Sequence, residues 1–164
     1  MNDDLLFRMA TLEDLPRIIE LLAADQLGAT RERCEHPLPE CYVAALRAIS
    51  DDPNNELLVA CLNDRVVGVL QLTFIPYLTH QGSWRALIEG VRVSYEARGQ
   101  GLGERMMRHA IARARNRGCR IIQLTSDKSR HDAIRFYQRL GFVDSHEGFK
   151  LMLEPAPTMP PAGL

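Results

Sequence analysis

The order of elements predicts an α+β domain with a mixed, mostly antiparallel central sheet flanked by helices. Three observations carry this. Two long apolar segments, Glu56 to Leu62 and Val66 to Tyr77, are joined by the hairpin-length turn Asn63-Asp64-Arg65. A third, Trp84 to Ser94, follows a turn at Gln81-Gly82. One strand–helix–strand crossover comes only late, from Ser94 to Ile121. A doubly wound sheet would alternate strands and helices throughout.

Leu5 to Ala10 is a short apolar run that suits a first strand. Thr11-x-x-Asp14 has the spacing of a capping box, with Asp in place of Glu or Gln. The helix after it sets Leu15, Ile18, Ile19, Leu22 and Ala23 on one face and ends near Gly28. Ala29 to Pro39 is polar and reads as a loop, and a second helix is expected from about Pro39 to Ser50. Pro76 marks an edge, a bend or the end of its strand, because proline cannot donate to a ladder. Residues 95–103 form a Gly-rich loop. The helix beyond it repeats Leu102, Met106, Ala110 and Ala114 every four residues and closes at Arg117-Gly118. Ile121 to Thr125 is a short buried strand, and Asp132 to Leu140 a helix stopped by Gly141. Phe142 to Val143 and Phe149 to Leu153 are expected to form a final strand pair. Residues 1–154 then make one domain. Residues 155–164, with Pro155, Pro157, Pro160 and Pro161, are expected to be a disordered tail.

Composition narrows the function. The 164 residues suit one domain and one substantial core. Apolar residues make up 46% and charged residues 25%, which argues against disorder. No apolar run reaches the roughly 18 residues of a membrane span, and Met1-Asn2-Asp3-Asp4 lacks the basic start of a signal peptide. A cytoplasmic protein is expected. Cys34, Cys41, Cys61 and Cys119 form no C-x-x-C pair, so no metal and no disulfide framework is expected, and each thiol reads as a small buried hydrophobe. The net charge of −1 is unevenly spread. Residues 1–82 hold 13 acids and 6 bases; residues 83–164 hold 8 acids and 14 bases. The positive half is where an anionic partner belongs. Arg105, Arg108, His109, Arg113, Arg115, Arg117 and Arg120 fan round their helix instead of forming one row, so a solvated face is expected there and no nucleic-acid partner.

The strongest motif is Arg98-Gly99-Gln100-Gly101-Leu102-Gly103, between a strand and a helix. Its glycines permit positive φ and close backbone approach. Converging N–H groups and the helix dipole behind them suit a pyrophosphate. No Lys-Ser/Thr follows, so it is not a Walker loop, and the third glycine comes one place early for a dinucleotide fingerprint.

Arg98-x-x-Gly101-x-Gly103 resembles the R/Q-x-x-G-x-G/A acetyl-CoA signature of the GCN5-related N-acetyltransferases (GNAT). The resemblance runs from Leu5 to about Leu153. It includes the preceding strand Ile88 to Val93 and a downstream block, Ala133 to Phe142, similar to the family's A-x-x-x-Y-x-x-x-G-F pattern. It implies a GNAT-type sheet and an acetyl-CoA-dependent N-acetyltransferase acting by direct attack in a ternary complex on a primary amine of a small molecule or peptide. A non-catalytic acyl-CoA sensor on the same fold is the alternative. Members are often homodimers.

The resemblance also implies roles. The backbone of Val91, Arg92 and Val93 would pair with the pantetheine arm. The amides of Arg98, Gly99, Gln100, Gly101, Leu102, Gly103 and Glu104 would hold the pyrophosphate. Asp127, a candidate cofactor contact, stands where many relatives carry Asn, and an Asp cannot donate as Asn does; Lys128 or Arg130 is a further candidate to reach a cofactor phosphate. Tyr137 is the candidate general acid, with an ordinary pKa of about 10 near that of an alkyl thiol; from its neighbours Ala133, Phe136 and Leu140 alone it reads as a packing aromatic. The Val91 N–H is the candidate oxyanion donor.

Glu89 is the candidate general base, through a water. Strand alternation places it with Leu87, Val91 and Val93 on an apolar face that would raise its pKa. A second reading pairs Glu89 with Arg92 across a bulge at Gly90, which would change the parity. His36, His80, Arg31, Arg33, Glu35, Arg85, Gln71 and Thr73 are further acceptor-lining candidates.

Overall fold

The computed structural model describes residues 5–153. The expected tail, residues 155–164, lies outside them. Five strands form one sheet in the order β1-β2-β3-β4-β5. They are β1 (Leu5–Met9), β2 (Asn55–Leu62), β3 (Arg65–Pro76), β4 (Trp84–Val93) and β5 (Cys119–Leu124). The first three pairings are antiparallel and the last is parallel. The helices are α1 (Leu15–Ala23), α2 (Gln26–Ala29), α3 (Glu40–Asp51), α4 (Thr79–Gly82), α5 (Leu102–Asn116) and α6 (His131–Arg139). The short α4 is nearer a turn, since His80 and Gln81 are left-handed. The α+β class with a mostly antiparallel sheet is as the sequence predicts.

Local chemistry explains the joints. Asn63 and Asp64 both take positive φ, which matches the twist of a two-residue hairpin. The Asp14 carboxylate accepts the Thr11 N–H at 2.8 Å and a fork from Arg8, so the start of the first helical segment is tied to β1. β3 ends at Pro76, as a proline requires.

The sheet buries both faces. Leu58, Leu70, Leu72, Phe74 and Ile88 pack beneath Met106, Met107 and Ala110 of α5. A Cβ on Gly68 would stand 2.5 Å from the Met106 sulfur, so glycine there lets α5 seat. On the other face Val59, Cys61, Val66 and Val69 meet Ile18 and Leu21 of α1. Arg113 of α5 forks onto the buried carboxylate of Glu56, and Arg117 lies 4.6 Å over the Phe74 ring. Two cations of the basic helix are thus part of the packing.

Two expectations fail. Phe142–Val143 and Phe149–Leu153 form no strand, and Val143, Phe149, Leu151, Met152 and Leu153 are exposed. Their alternation gives strand character only against a partner edge, and neither segment is paired with the open edge of β5. Cys34 and Cys41 are exposed, because both sit at the polar loop and the start of α3; Cys61 is buried as expected and Cys119 partly so.

Candidate active site

The site begins where β4 and β5 part. Their parallel pairing runs from Trp84↔Cys119 to Ile88↔Leu124 and stops. Beyond Ile88, β4 keeps only β3 beside it, so the edge of residues 89–93 faces a gap. Within that stretch Gln71 pairs with Glu89 and Val69 with Arg92, leaving Leu70 opposite both Gly90 and Val91. Two residues against one is a β-bulge, and Gly90 carries it with φ +61°.

The bulge corrects the placement of Glu89. Val91 and Val93 pack with Ile88 against the α5 side. Glu89 lies on the opposite face and is exposed, so it does not share the valines' apolar surroundings. Its neighbours there are Gln71, which faces it across the ladder, and Thr73, next along β3. Gln71 and Thr73 both donate to Asn55 Oδ1, at 3.2 and 2.7 Å. Arg92, on the same side as Glu89, forms an ion pair with Asp25 at 3.1 Å. The bulge of the second reading is present; its Glu89–Arg92 pair is not.

The glycine loop follows β4. Gly99 and Gly101 take φ of +74° and +75°, and a Cβ on either would meet nothing within 4 Å. The space before the loop is open to a ligand's approach. Gly101 precedes α5 with no side-chain cap, so the first amides of the helix, Leu102 to Glu104, have no partner from it. These free N–H groups, the helix dipole and the open approach fit a pyrophosphate. Gly103 is the contact glycine: a Cβ there would stand 3.4 Å from Phe136 of α6. The Arg98 side chain folds back, donating to Val93 O at 3.4 Å and lying 5.6 Å over the Tyr95 ring. Gln100 donates to Glu96 O at 3.0 Å. Both residues offer backbone, not side chain, to a ligand.

α6 closes the gap from the α5 side. Phe136 and Tyr137 pack edge to face at 5.3 Å, and Tyr137 meets Phe142 at 6.0 Å. Burial pushes the Tyr137 pKa up, while the charges of Arg130 and Arg92 pull it down. Asp127 turns inward on its own loop, accepting from Ser129 N at 2.9 Å and Ser129 Oγ at 2.6 Å. It shapes the entry to α6, and its carboxylate is turned to that loop and not to the gap.

One cluster is absent from the sequence reading. Asp25 caps α2 by accepting Gly28 N at 2.7 Å. Its second oxygen stands 3.1 Å from Arg92 and 3.6 Å from Arg130. Asp25 belongs to the α1 layer and Arg130 to the start of α6, so they meet across the parted strands. The signal was present in part: Gly90 marks the bulge that turns Arg92 toward Asp25. Among the acceptor candidates, Arg33 donates its N–H to the Tyr42 hydroxyl at 2.9 Å, and that hydroxyl donates to Glu32 at 3.0 Å, which ties the polar loop together. Arg85 lies 5.3 Å over the Tyr77 ring, and the His80 ring is 5.6 Å from it. His36 lies exposed in the same polar loop as Arg31 and Glu35.

A sequence profile of the acetyltransferase (GNAT) family matches residues 16–142, which takes in the bulge, the glycine loop and Tyr137. The chain belongs to the GNAT family. A curated relative, the aminoalkylphosphonate N-acetyltransferase of Salmonella typhimurium, is 34% identical over 98 residues. The match covers 60% of this chain and 63% of that protein, so it spans less than two thirds of the relative's length. A solved transcriptional regulator from Bacillus halodurans C-125 is 56% identical, with a TM-score of 0.88 over 91% of this chain and 99% of that one. A Trypanosoma brucei acetyltransferase is 28% identical, with a TM-score of 0.75 over 92% of this chain and 100% of that one. Among the described residues no helix is long and apolar enough to cross a membrane, and no group of three or more His, Cys, Asp or Glu is placed to hold a metal ion.

Proposed function

We propose that this GNAT protein transfers an acetyl group from acetyl-CoA to a primary amine of a small molecule, by direct attack in a ternary complex. The observation that carries the reading is the parting of β4 from β5 beside a loop of unpartnered amides. The open edge at Val91 to Val93 suits the amide-bearing pantetheine arm, which would add there like a strand. The loop from Arg98 to Glu104 would take the pyrophosphate. Acetyl-CoA, when bound, supplies an activated acyl thioester.

The chain's own residues then have three tasks. Val91 falls outside the paired register of the bulge, so its N–H is available to the thioester oxygen as charge develops there. Tyr137, held neutral by burial, keeps a proton for the departing sulfur. Glu89, exposed at the mouth of the gap, takes the amine proton through water. The name of the Salmonella relative makes aminoalkylphosphonates the first acceptors to try.

The test is CoA release against a panel of aminoalkylphosphonates, polyamines, amino sugars, amino acids, aminoglycosides and peptide N-termini. At least one acceptor should drive release above hydrolysis. Tyr137→Phe should lower kcat about 100-fold or more, with acetyl-CoA affinity unchanged. A second reading, a non-catalytic acyl-CoA sensor, is favoured by the name of the Bacillus halodurans relative. Tight acetyl-CoA binding with no release for any acceptor would select it.

A further inference from the structure

The guanidinium cluster at the parted strands is over-supplied with positive charge. Among the described residues Asp25 is the one carboxylate paired with Arg92 and Arg130, and one of its oxygens accepts from the Gly28 amide. Arg31, itself 3.9 Å from Glu32, adds a third positive charge that acts on both Asp25 and Arg92. The Arg92 side chain is only 10% exposed. Its Nη1 donates to Val91 O at 2.9 Å, while its Nε is buried with no partner. Ser126, two residues beyond β5, also has a buried hydroxyl with no partner. A nine-tenths buried guanidinium with an idle donor is costly to leave unsatisfied.

Position decides what would satisfy it. The phosphate loop and α5 cover one face of the sheet; Asp25 and the Arg92 side chain lie on the α1 face. A pyrophosphate at Gly99 to Gly103 therefore does not fill this cluster. Yet Arg130 stands at the N-terminal cap of α6, the helix that carries Tyr137, and the charges of Arg130 and Arg92 act on that tyrosine, so the cluster lies at the same helix as the group assigned to the departing sulfur. A ligand there stands on the acceptor's side of the thioester.

We infer that Arg130 and Arg92 form an oxyanion-binding subsite for the acceptor, so that the substrate is a primary amine carrying a phosphonate or carboxylate group on a short carbon chain. This rests on the acetyl-transfer reading and adds the acceptor's second functional group. Arg130 supplies the exposed half of the clamp. Arg92 supplies the buried half and the idle Nε–H. Asp25 holds the two apart from each other's charge and in place.

The experiment uses the full chain and matched acceptors: 3-aminopropylphosphonate, 4-aminobutyrate and propylamine. CoA release gives kcat/KM for each at fixed ionic strength, and calorimetry gives phosphonate binding to the CoA-loaded protein. At least one acidic acceptor should exceed propylamine by about tenfold or more, the scale of a charge-assisted hydrogen bond. Comparison of the two acids tells a tetrahedral from a planar head group. Arg130→Gln should bring the ratio toward one by raising KM for the acid, and Arg130→Lys should restore part of it. All three acceptors use the same Tyr137, so the ratio cancels any change in its acidity. Equal kcat/KM for the acids and propylamine would overturn the inference and leave acetyl transfer standing. So would an Arg130→Gln variant with an unchanged ratio, or one whose main defect is acetyl-CoA affinity. Should no amine release CoA, phosphonate binding lost in Arg130→Gln would keep the subsite and sink the transfer reading; no binding to the wild type would sink the subsite.

Discussion

Glu89 shows how far one residue can move a mechanism. Strict alternation would put it among valines, but the bulge at Gly90 turns Val91 and Val93 to the α5 side and leaves Glu89 exposed. A base in that position works by relaying a proton through water, not by burial. Glu89→Gln should lower kcat/KM most near neutral pH, where a carboxylate base is charged and the amine still holds its proton. A pH–rate profile that overlays the wild type would remove it from the mechanism. Tyr137 stands out only through the resemblance of Ala133 to Phe142 to the family's A-x-x-x-Y-x-x-x-G-F pattern, since its helix spacing alone reads as packing. The pairing of Asp25 with Arg130 was not legible, because the two lie 105 positions apart and meet only across the gap between strands.

At the scale of elements, the glycine loop and α5 act together. Gly101 is left-handed just before the helix, and an added Cβ would meet no neighbour, so the penalty of Gly101→Ala is conformational. The variant should lose about 1–2 kcal/mol, or a few degrees of melting temperature. Its methyl would also stand in the approach to the amides, so acetyl-CoA affinity should fall about tenfold by calorimetry. The far end of α5 is held by the Arg113–Glu56 fork. Arg113→Ala strands a buried carboxylate and should destabilise the fold by roughly 2 kcal/mol in urea unfolding. Arg113→Lys keeps the charge without the fork and should fall between. The glycine spacing announces the loop in sequence. The partner of Arg113 does not show, since Glu56 is 57 residues away on another element.

At the scale of the whole molecule, stability should depend on mildly acidic pH through His109. This ring stacks on Phe7 at 4.5 Å, and burial, then Arg113, lowers its pKa from 6.5. The unfolded chain then takes up the proton first as pH falls, so the stabilisation is full above about 6.5 and is lost below it. Melting temperature should drop between about pH 7.5 and about pH 5.5, and less so in His109→Phe, which keeps the stack without the titrating nitrogen. The charge division of the chain also takes a shape. The positive half supplies the glycine loop, α5 and α6, while the negative half supplies α1 on the opposite face. The sequence alone determined the fold class and the strand–glycine loop–helix unit, because periodicity and glycine spacing are local properties of a chain; Tyr137 is singled out only by the resemblance to the family's pattern. Tertiary structure decided the bulge parity, the missing final strand pair and the Asp25–Arg92–Arg130 cluster. Those depend on which strands part and which layers meet, and no local pattern encodes a gap between two strands.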